Sequence, residues 1–156
     1  MNYPVEGGCS CRAVRYRMTS APMTVHCCHC TWCQRETGSA FALNAVIEAE
    51  RVEVMQGEAV CVVTPSASGK GQQVYRCPNC QVALWSHYGG GGATVRFVRV
   101  GTLDDPATFP PDIHVFTSTK QPWVQIPPSQ KAFAEFYDAR KEWPAEAQAR
   151  WKATRR

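Results

Sequence analysis

The sequence predicts a mainly β fold with a short helical extension at its C-terminal end. Three observations carry that prediction. Short segments alternate apolar and polar residues with a period of two, as half-buried strands do. Aromatic residues at helical spacing begin only after Pro128. Seven of nine cysteines fall in two pairs and a triplet, and all nine lie before residue 81 in a chain of 156 residues.

The elements follow in order. Ala13 to Met18 alternates clearly and reads as the first strand. Thr31 to Thr37 reads as one helical turn. Phe41 to Val46, Arg51 to Met55 (stopping before Gly57), Ala59 to Thr64 and Gln72 to Arg76 read as strands. Pro65 to Gly69 is a turn. Thr94 to Val100 is a strand with Val95, Phe97 and Arg99 on one face, and His114 to Thr117 is a short one. Gly89-Gly90-Gly91-Gly92 lacks the Lys-Ser/Thr that a phosphate cradle needs, so it reads as a hairpin loop. After Pro128, Phe133, Phe136 and Tyr137 fall at i, i+3 and i+4, with Ser129 as a cap, and read as a helix. Trp143, Ala147 and Trp151 repeat every four residues and read as a second helix starting near Pro144. The division is a β domain over 3–127 and a helical, basic extension over 128–156.

Charge excludes some classes of function. Seventeen basic against thirteen acidic residues make a net charge of +4, which does not call for a nucleic-acid partner. The extension from Lys131 onward carries +3 of this, with acidic residues interspersed. No apolar run approaches the ~18 residues of a membrane-spanning helix. The first residues show no basic segment followed by an apolar one, so no secretory signal is expected. That points to a reducing, cytoplasmic setting, where structural disulfides are not expected.

The cysteines then call for metal. Cys9-x-Cys11 and Cys77-x-x-Cys80 are two pairs, and Cys28-x-Cys30-x-x-Cys33 is a triplet. A zinc ion needs sulfurs at ~2.3 Å in a tetrahedron. A C-x-x-C turn places two thiolates on one side, and an extended C-x-C does the same because residues i and i+2 share a face. Cys9, Cys11, Cys77 and Cys80 therefore make one complete structural site. The triplet supplies three ligands and leaves one position open, which is how catalytic zinc sites are built. Spacing alone leaves three alternatives: closure by Cys27, His26, His29 or Cys61; unmetallated thiols; or iron–sulfur ligation, whose usual spacings differ. Cys27 and Cys61 receive no task.

Three motifs carry a resemblance. Gly8-Cys9-Ser10-Cys11-Arg12-Ala13-Val14-Arg15-Tyr16, Cys28-His29-Cys30-Thr31-Trp32-Cys33-Gln34-Arg35 and Cys77-Pro78-Asn79-Cys80 are similar to those of the glutathione-dependent formaldehyde-activating enzyme (Gfa) family, the CENP-V/Gfa domain. Val100-Gly101-Thr102-Leu103-Asp104-Asp105-Pro106, His114 and Lys120-Gln121-Pro122-Trp123 resemble its C-terminal half. The resemblance implies a Mss4-like β fold and about two zinc ions per chain. It implies that Cys9, Cys11, Cys77 and Cys80 hold the structural ion, and Cys28, Cys30 and Cys33 the catalytic one. The implied activity is that of a carbon–sulfur lyase, an S-(hydroxymethyl)glutathione synthase-like enzyme joining or splitting a glutathione-like thiol and an aldehyde such as formaldehyde. His29, His26 and Arg35 are candidate proton carriers or anion contacts by sequence proximity. The competing expectation is a non-enzymatic zinc module that binds nucleic acid or protein through its basic tail. Homo-oligomerisation is left open. Gln81 stands where the family usually has glycine, at a position where a positive φ is expected.

Overall fold

A computed structural model describes residues 2–155; Met1 and Arg156, the latter counted above in the basic tail, lie outside them. Eleven strands form two sheets among the described residues. The strands are β1 (Val5–Gly8), β2 (Arg15–Met18), β3 (Thr24–Cys28), β4 (Ala42–Glu48), β5 (Val52–Gln56), β6 (Val60–Thr64), β7 (Gln72–Arg76), β8 (Ala83–His87), β9 (Val95–Arg99), β10 (Ile113–Val115) and β11 (Lys131–Ala132). The helices are α1 (Thr31–Thr37), α2 (Ala139–Glu142) and α3 (Ala145–Ala153). The smaller sheet has the order β1-β2-β5, and the larger β11-β10-β3-β4-β9-β8-β7-β6. Pairing is antiparallel except at β3, β10 and β11, which run parallel.

Sequence explains why the larger sheet is covered on both faces. In β4, Ala45 and Ile47 enter one core with Tyr16, Met18, Leu84, Trp85, Val98 and Val100. Val46 between them enters a second core with Met23, Val95, Ile113, Val115, Trp143 and Ala147. The smaller sheet therefore covers one face, and the C-terminal segment packs against the other. A strand buried on both sides loses clean alternation. This is why β3, whose five residues are all buried, and much of β8 carry little period-two signal. The opposite condition holds at β6. It is the sheet edge, and Val60, Cys61, Val62 and Val63 are exposed.

The tetraglycine segment connects β8 to β9 through 3-10 turns. Gly91 is required there by space: a Cβ on it would lie 2.7 Å from the Val95 Cβ and 3.4 Å from the Trp151 ring.

The extension departs from expectation in one part. Phe133, Phe136 and Tyr137 do not lie on a helix. Lys131 and Ala132 instead pair with Ile113 and His114 as β11. The backbone continues this pairing, with Phe133 N–H donating to His114 O at 3.0 Å and Phe116 N–H to Glu135 O at 3.0 Å. Those long-range bonds satisfy the backbone groups a helix would have used. The three aromatics pack together and on His26. The second expected helix is present as α3, and Trp143, Ala147 and Trp151 all enter the second core.

Two polar contacts dock the extension. His26 Nε2 lies 2.5 Å from the Tyr137 hydroxyl, which also accepts from Trp143 Nε1. Arg150 Nε and a terminal nitrogen donate to the two Glu48 oxygens at 2.8 and 2.6 Å. Burial works against ionising Glu48, yet the Arg150 guanidinium holds its carboxyl below the usual range.

Tyr137→Phe leaves the buried Trp143 Nε1 and His26 Nε2 without their shared partner, and is expected to lower stability by about 1–3 kcal/mol in a denaturant titration. The Glu48 pair makes a separate pH prediction. Its contribution is present above the unfolded carboxyl pKa of about 4.3 and is lost as pH falls through the depressed folded value. Glu48→Gln should therefore remove part of the difference in stability between pH 7 and pH 3, read by thermal unfolding at each pH.

Candidate metal centres and active site

Cys9 and Cys11 lie in the tight turn between β1 and β2, on the smaller sheet. Cys77 and Cys80 lie between β7 and β8, on the larger. The two turns are built alike. Arg12 N–H donates to Cys9 O at 3.0 Å, and Gln81 N–H to Cys77 O at 3.0 Å. Arg12 and Gln81 both adopt left-handed backbone, with φ of 62° and 61°. Gln81 thus takes the conformation expected of glycine, and its side-chain amide donates to Pro78 O at 2.9 Å.

The sulfurs converge. Cys9 and Cys11 Sγ are 3.5 Å apart, and Cys11 and Cys77 Sγ 3.6 Å. All four ligand atoms lie within 4.8 Å of one another. A tetrahedron with ~2.3 Å zinc–sulfur bonds has edges of about 3.8 Å, so the set fits such an ion. Backbone amides point at the sulfurs as well: Val14 N–H donates to Cys9 Sγ at 3.3 Å. Bonds from the backbone of Val82 and Cys11 draw the Cys80 thiol down to about 6.

The triplet is assembled at the end of β3. Period two puts Cys28 and Cys30 on one face of the extended chain and Cys27 and His29 on the other. Cys30 then caps α1, its sulfur accepting from Cys33 N–H at 3.3 Å. This turn brings Cys33 back to the pair. Cys28 and Cys30 Sγ are 3.5 Å apart, and the three ligand atoms lie within 4.8 Å of one another. Among the described residues no fourth Cys, His, Asp or Glu donor joins this group. Cys28 is buried, whereas Cys30 and Cys33 are half-buried and neighbouring Trp32 is 40% exposed, so the group opens outward. In the absence of a cation the three sulfurs share protons. Hydrogen bonding to Cys30 holds the Cys28 thiol up at about 12, while bonds from Cys28 and Cys33 pull Cys30 down to about 2. Thiolates crowded this closely oppose one another, which is the condition a divalent ion relieves.

The other face of β3 holds a third group. Cys27, His29 and His114 also place their ligand atoms within 4.8 Å and are all buried. Parallel pairing of β10 with β3 sets His114 opposite Cys27. The rings of His29 and His114 meet nearly in plane, 20° apart, with Nε2 and Nδ1 at 2.9 Å. That is the geometry of an N–H···N hydrogen bond. His114 Nε2 lies 2.8 Å from Gln130 Oε1, which ends the chain. Burial pushes the Cys27 thiol up to about 12 and the His29 imidazole down to about 4.

The structure places the three candidate proton carriers in different surroundings. His26 shares the face of Cys28 but turns to Tyr137, and His29 turns to His114. Arg35 is exposed on α1. Sequence reasoning passed over Arg99, Asn44, Glu36 and Gln34. Arg99 is buried on β9, and one of its terminal nitrogens donates to Asn44 Oδ1. Arg76 pairs with Glu36 of α1. Gln34 Nε2 donates to His29 O at 2.7 Å and Thr119 O at 2.9 Å, fixing α1 to the segment after β10. Cys61 is exposed on β6, remote in sheet order from β3. Among the described residues no helix is long and apolar enough to cross a membrane.

Fold and site together define a two-sheet β protein with one four-cysteine and one three-cysteine group, each able to hold a metal ion. The model of the family described as glutathione-dependent formaldehyde-activating enzyme matches residues 4–119, and the chain belongs to that family. It is 26% identical over 157 aligned positions to a Halomonas elongata protein that carries the provisional name of glutathione-dependent formaldehyde-activating enzyme; the alignment takes in 96% of this chain and 94% of that one. A Rhodobacter sphaeroides protein of known crystal structure shares the fold, with a TM-score of 0.50 at 18% identity, over 66% of this chain and 93% of the other.

The two groups should respond differently to loss of a ligand. Cys80→Ser removes a tie between the sheets and should abolish cooperative unfolding. Cys30→Ser should keep the near-ultraviolet circular dichroism of the wild type while losing one bound metal ion, read by elemental analysis.

Proposed function

We propose that this protein is a zinc-dependent carbon–sulfur lyase of the Gfa type. It would join a glutathione-like thiol to formaldehyde or a related small aldehyde, or split the adduct. Zinc is the ion assigned to both cysteine groups, with Cys9, Cys11, Cys77 and Cys80 structural and Cys28, Cys30 and Cys33 at the active site. The observation that carries the reading is the outward-opening triplet with three sulfur donors and no fourth among the described residues, in a chain of this family. When bound there, zinc supplies a hold on sulfur that keeps a coordinating thiol deprotonated.

The chain's own residues do the rest. Cys28 is fixed by β3 and the second core. Cys30 is fixed by its capping bond from Cys33 N–H. The half-exposed sulfurs of Cys30 and Cys33 face the side from which a small thiol can approach. Trp32 offers an apolar surface beside them. The hydrogen-bonded Gln34, Gln121 and Thr119 keep the adjoining rim in place. Three thiolates give a zinc site a formal charge of −1, so it suits binding sulfur better than polarising a carbonyl. Several charges of the C-terminal segment are engaged within the fold, including Arg150 with Glu48, Lys131 with Glu142 and Arg155 over Trp151. That favours the enzyme over a tail-mediated binding module.

The test is consumption of formaldehyde with and without glutathione. Wild type should accelerate the thiol-dependent loss, and Cys33→Ser should reduce it by more than the about 10–100-fold typical of residues that only support a metal ligand. Absence of thiol-dependent turnover across a panel of small aldehydes, with zinc bound, would count against the assignment.

A further inference from the structure

Arg99 is a buried cation without a buried anion. It is 7% exposed. Pairing sets it opposite Asn44 on β4, and Asn44 opposite His26 on β3, on the sheet face that carries Cys28. Its one bond to a side chain, to Asn44 Oδ1, involves a neutral amide. Among the described residues Arg99 makes no ion pair, and the nearby carboxylate of Glu36 is taken by Arg76. Burial disfavours its charge. A guanidinium stripped of water in this way costs several kcal/mol unless an anion faces it. The groups within its electrostatic reach, besides Glu36 and the like charge of Arg76, are the sulfurs of Cys33 and Cys28, two members of the triplet.

We propose that Arg99 balances the negative charge of the substrate thiolate at the Cys28, Cys30 and Cys33 group, and so selects a thiolate as the ligand bound there. This rests on the reading of the triplet given under Proposed function. Formal charge explains why the effect falls on the thiolate. The triplet with a divalent ion carries a formal charge of −1, which Arg99 can already offset. A thiolate arriving from a substrate raises the charge of the group to −2, and with Arg99 the total is −1 instead. At the dielectric typical of buried sites, one such charge at several ångströms amounts to about 10- to 100-fold in affinity. Asn44 is the positioning residue, because it holds the guanidinium on this face.

The experiment compares the zinc-loaded full chain with Arg99→Met and Arg99→Lys by calorimetric titration. Two probes are used, glutathione and S-methylglutathione. The second keeps both carboxylates and the peptide but forms no thiolate. Arg99→Met is expected to retain wild-type zinc content and circular dichroism, bind glutathione about 10- to 100-fold more weakly, and bind S-methylglutathione as wild type does. Arg99→Lys should restore most of the glutathione affinity. If Arg99→Met fails to fold, Arg99→Gln, which keeps a donor for Asn44, makes the same comparison. Unchanged glutathione affinity, an equal loss for both probes (a carboxylate clamp) or loss of zinc overturns the proposal. Failure of the functional reading is seen separately, as wild type that binds no glutathione, and the proposal falls with it.

Discussion

Four sulfurs decide how the two sheets meet. Cys9 and Cys11 come from the turn that opens the smaller sheet, and Cys77 and Cys80 from a turn inside the larger one. Their convergence sets the smaller sheet over one face of the larger. Weaker contacts follow the same seam. Tyr16 Oη lies 2.7 Å from Thr102 Oγ1, and Arg15 reaches Asp104 at 2.8 Å. The core of Tyr16, Ile47, Trp85 and Val98 closes beneath them. With one face covered in this way, the other is free to carry the triplet and to receive the C-terminal segment. The triplet thus sits on a sheet whose far side is already held.

Polar burial on that second face is selective. His26 has Tyr137, and Glu48 has Arg150. Each is a closed pair that docks the extension. Arg99 differs because its charge is left without a carboxylate. Among the described residues the buried carboxylate of Glu48 has its counter-ion, whereas the buried guanidinium of Arg99, on the face that carries Cys28, has a neutral amide. The docking pairs and the cysteines share one face of the larger sheet, with His26 and Cys28 on β3 and Glu48 on β4.

Much of this was legible in the sequence because chemistry and spacing coincide at the cysteines. C-x-C and C-x-x-C fix local geometry whatever the surrounding fold. Strands exposed on one side, such as β2 and β7, were legible for the same local reason. What escaped was set by distant contacts. β3 and β8 lost their alternation to burial on both faces. Phe133, Phe136 and Tyr137 kept a helical spacing, but pairing with β10 captured the backbone before them. His26 and His29 looked alike in sequence, yet strand parity sent them to opposite faces. Arg99 gave no signal, because what makes it unusual is the absence of a partner for a buried charge, and sequence shows neither burial nor pairing.

The parity of β3 has an evolutionary consequence. Even-numbered positions build the thiolate group, and odd-numbered ones build the hydrogen-bonded pair of imidazoles with Cys27. Substitution at an odd position therefore leaves the even set untouched, and Cys27 stands next to Cys28 in sequence while facing away from it. Insertion or deletion of one residue between β2 and β3 is another matter. If the slip passed into the strand, it would exchange the two sets, presenting sulfur and imidazole to α1 and burying Cys28 and Cys30 against the opposite core. A change of length in that short connection would therefore reach further into the site than a substitution within it.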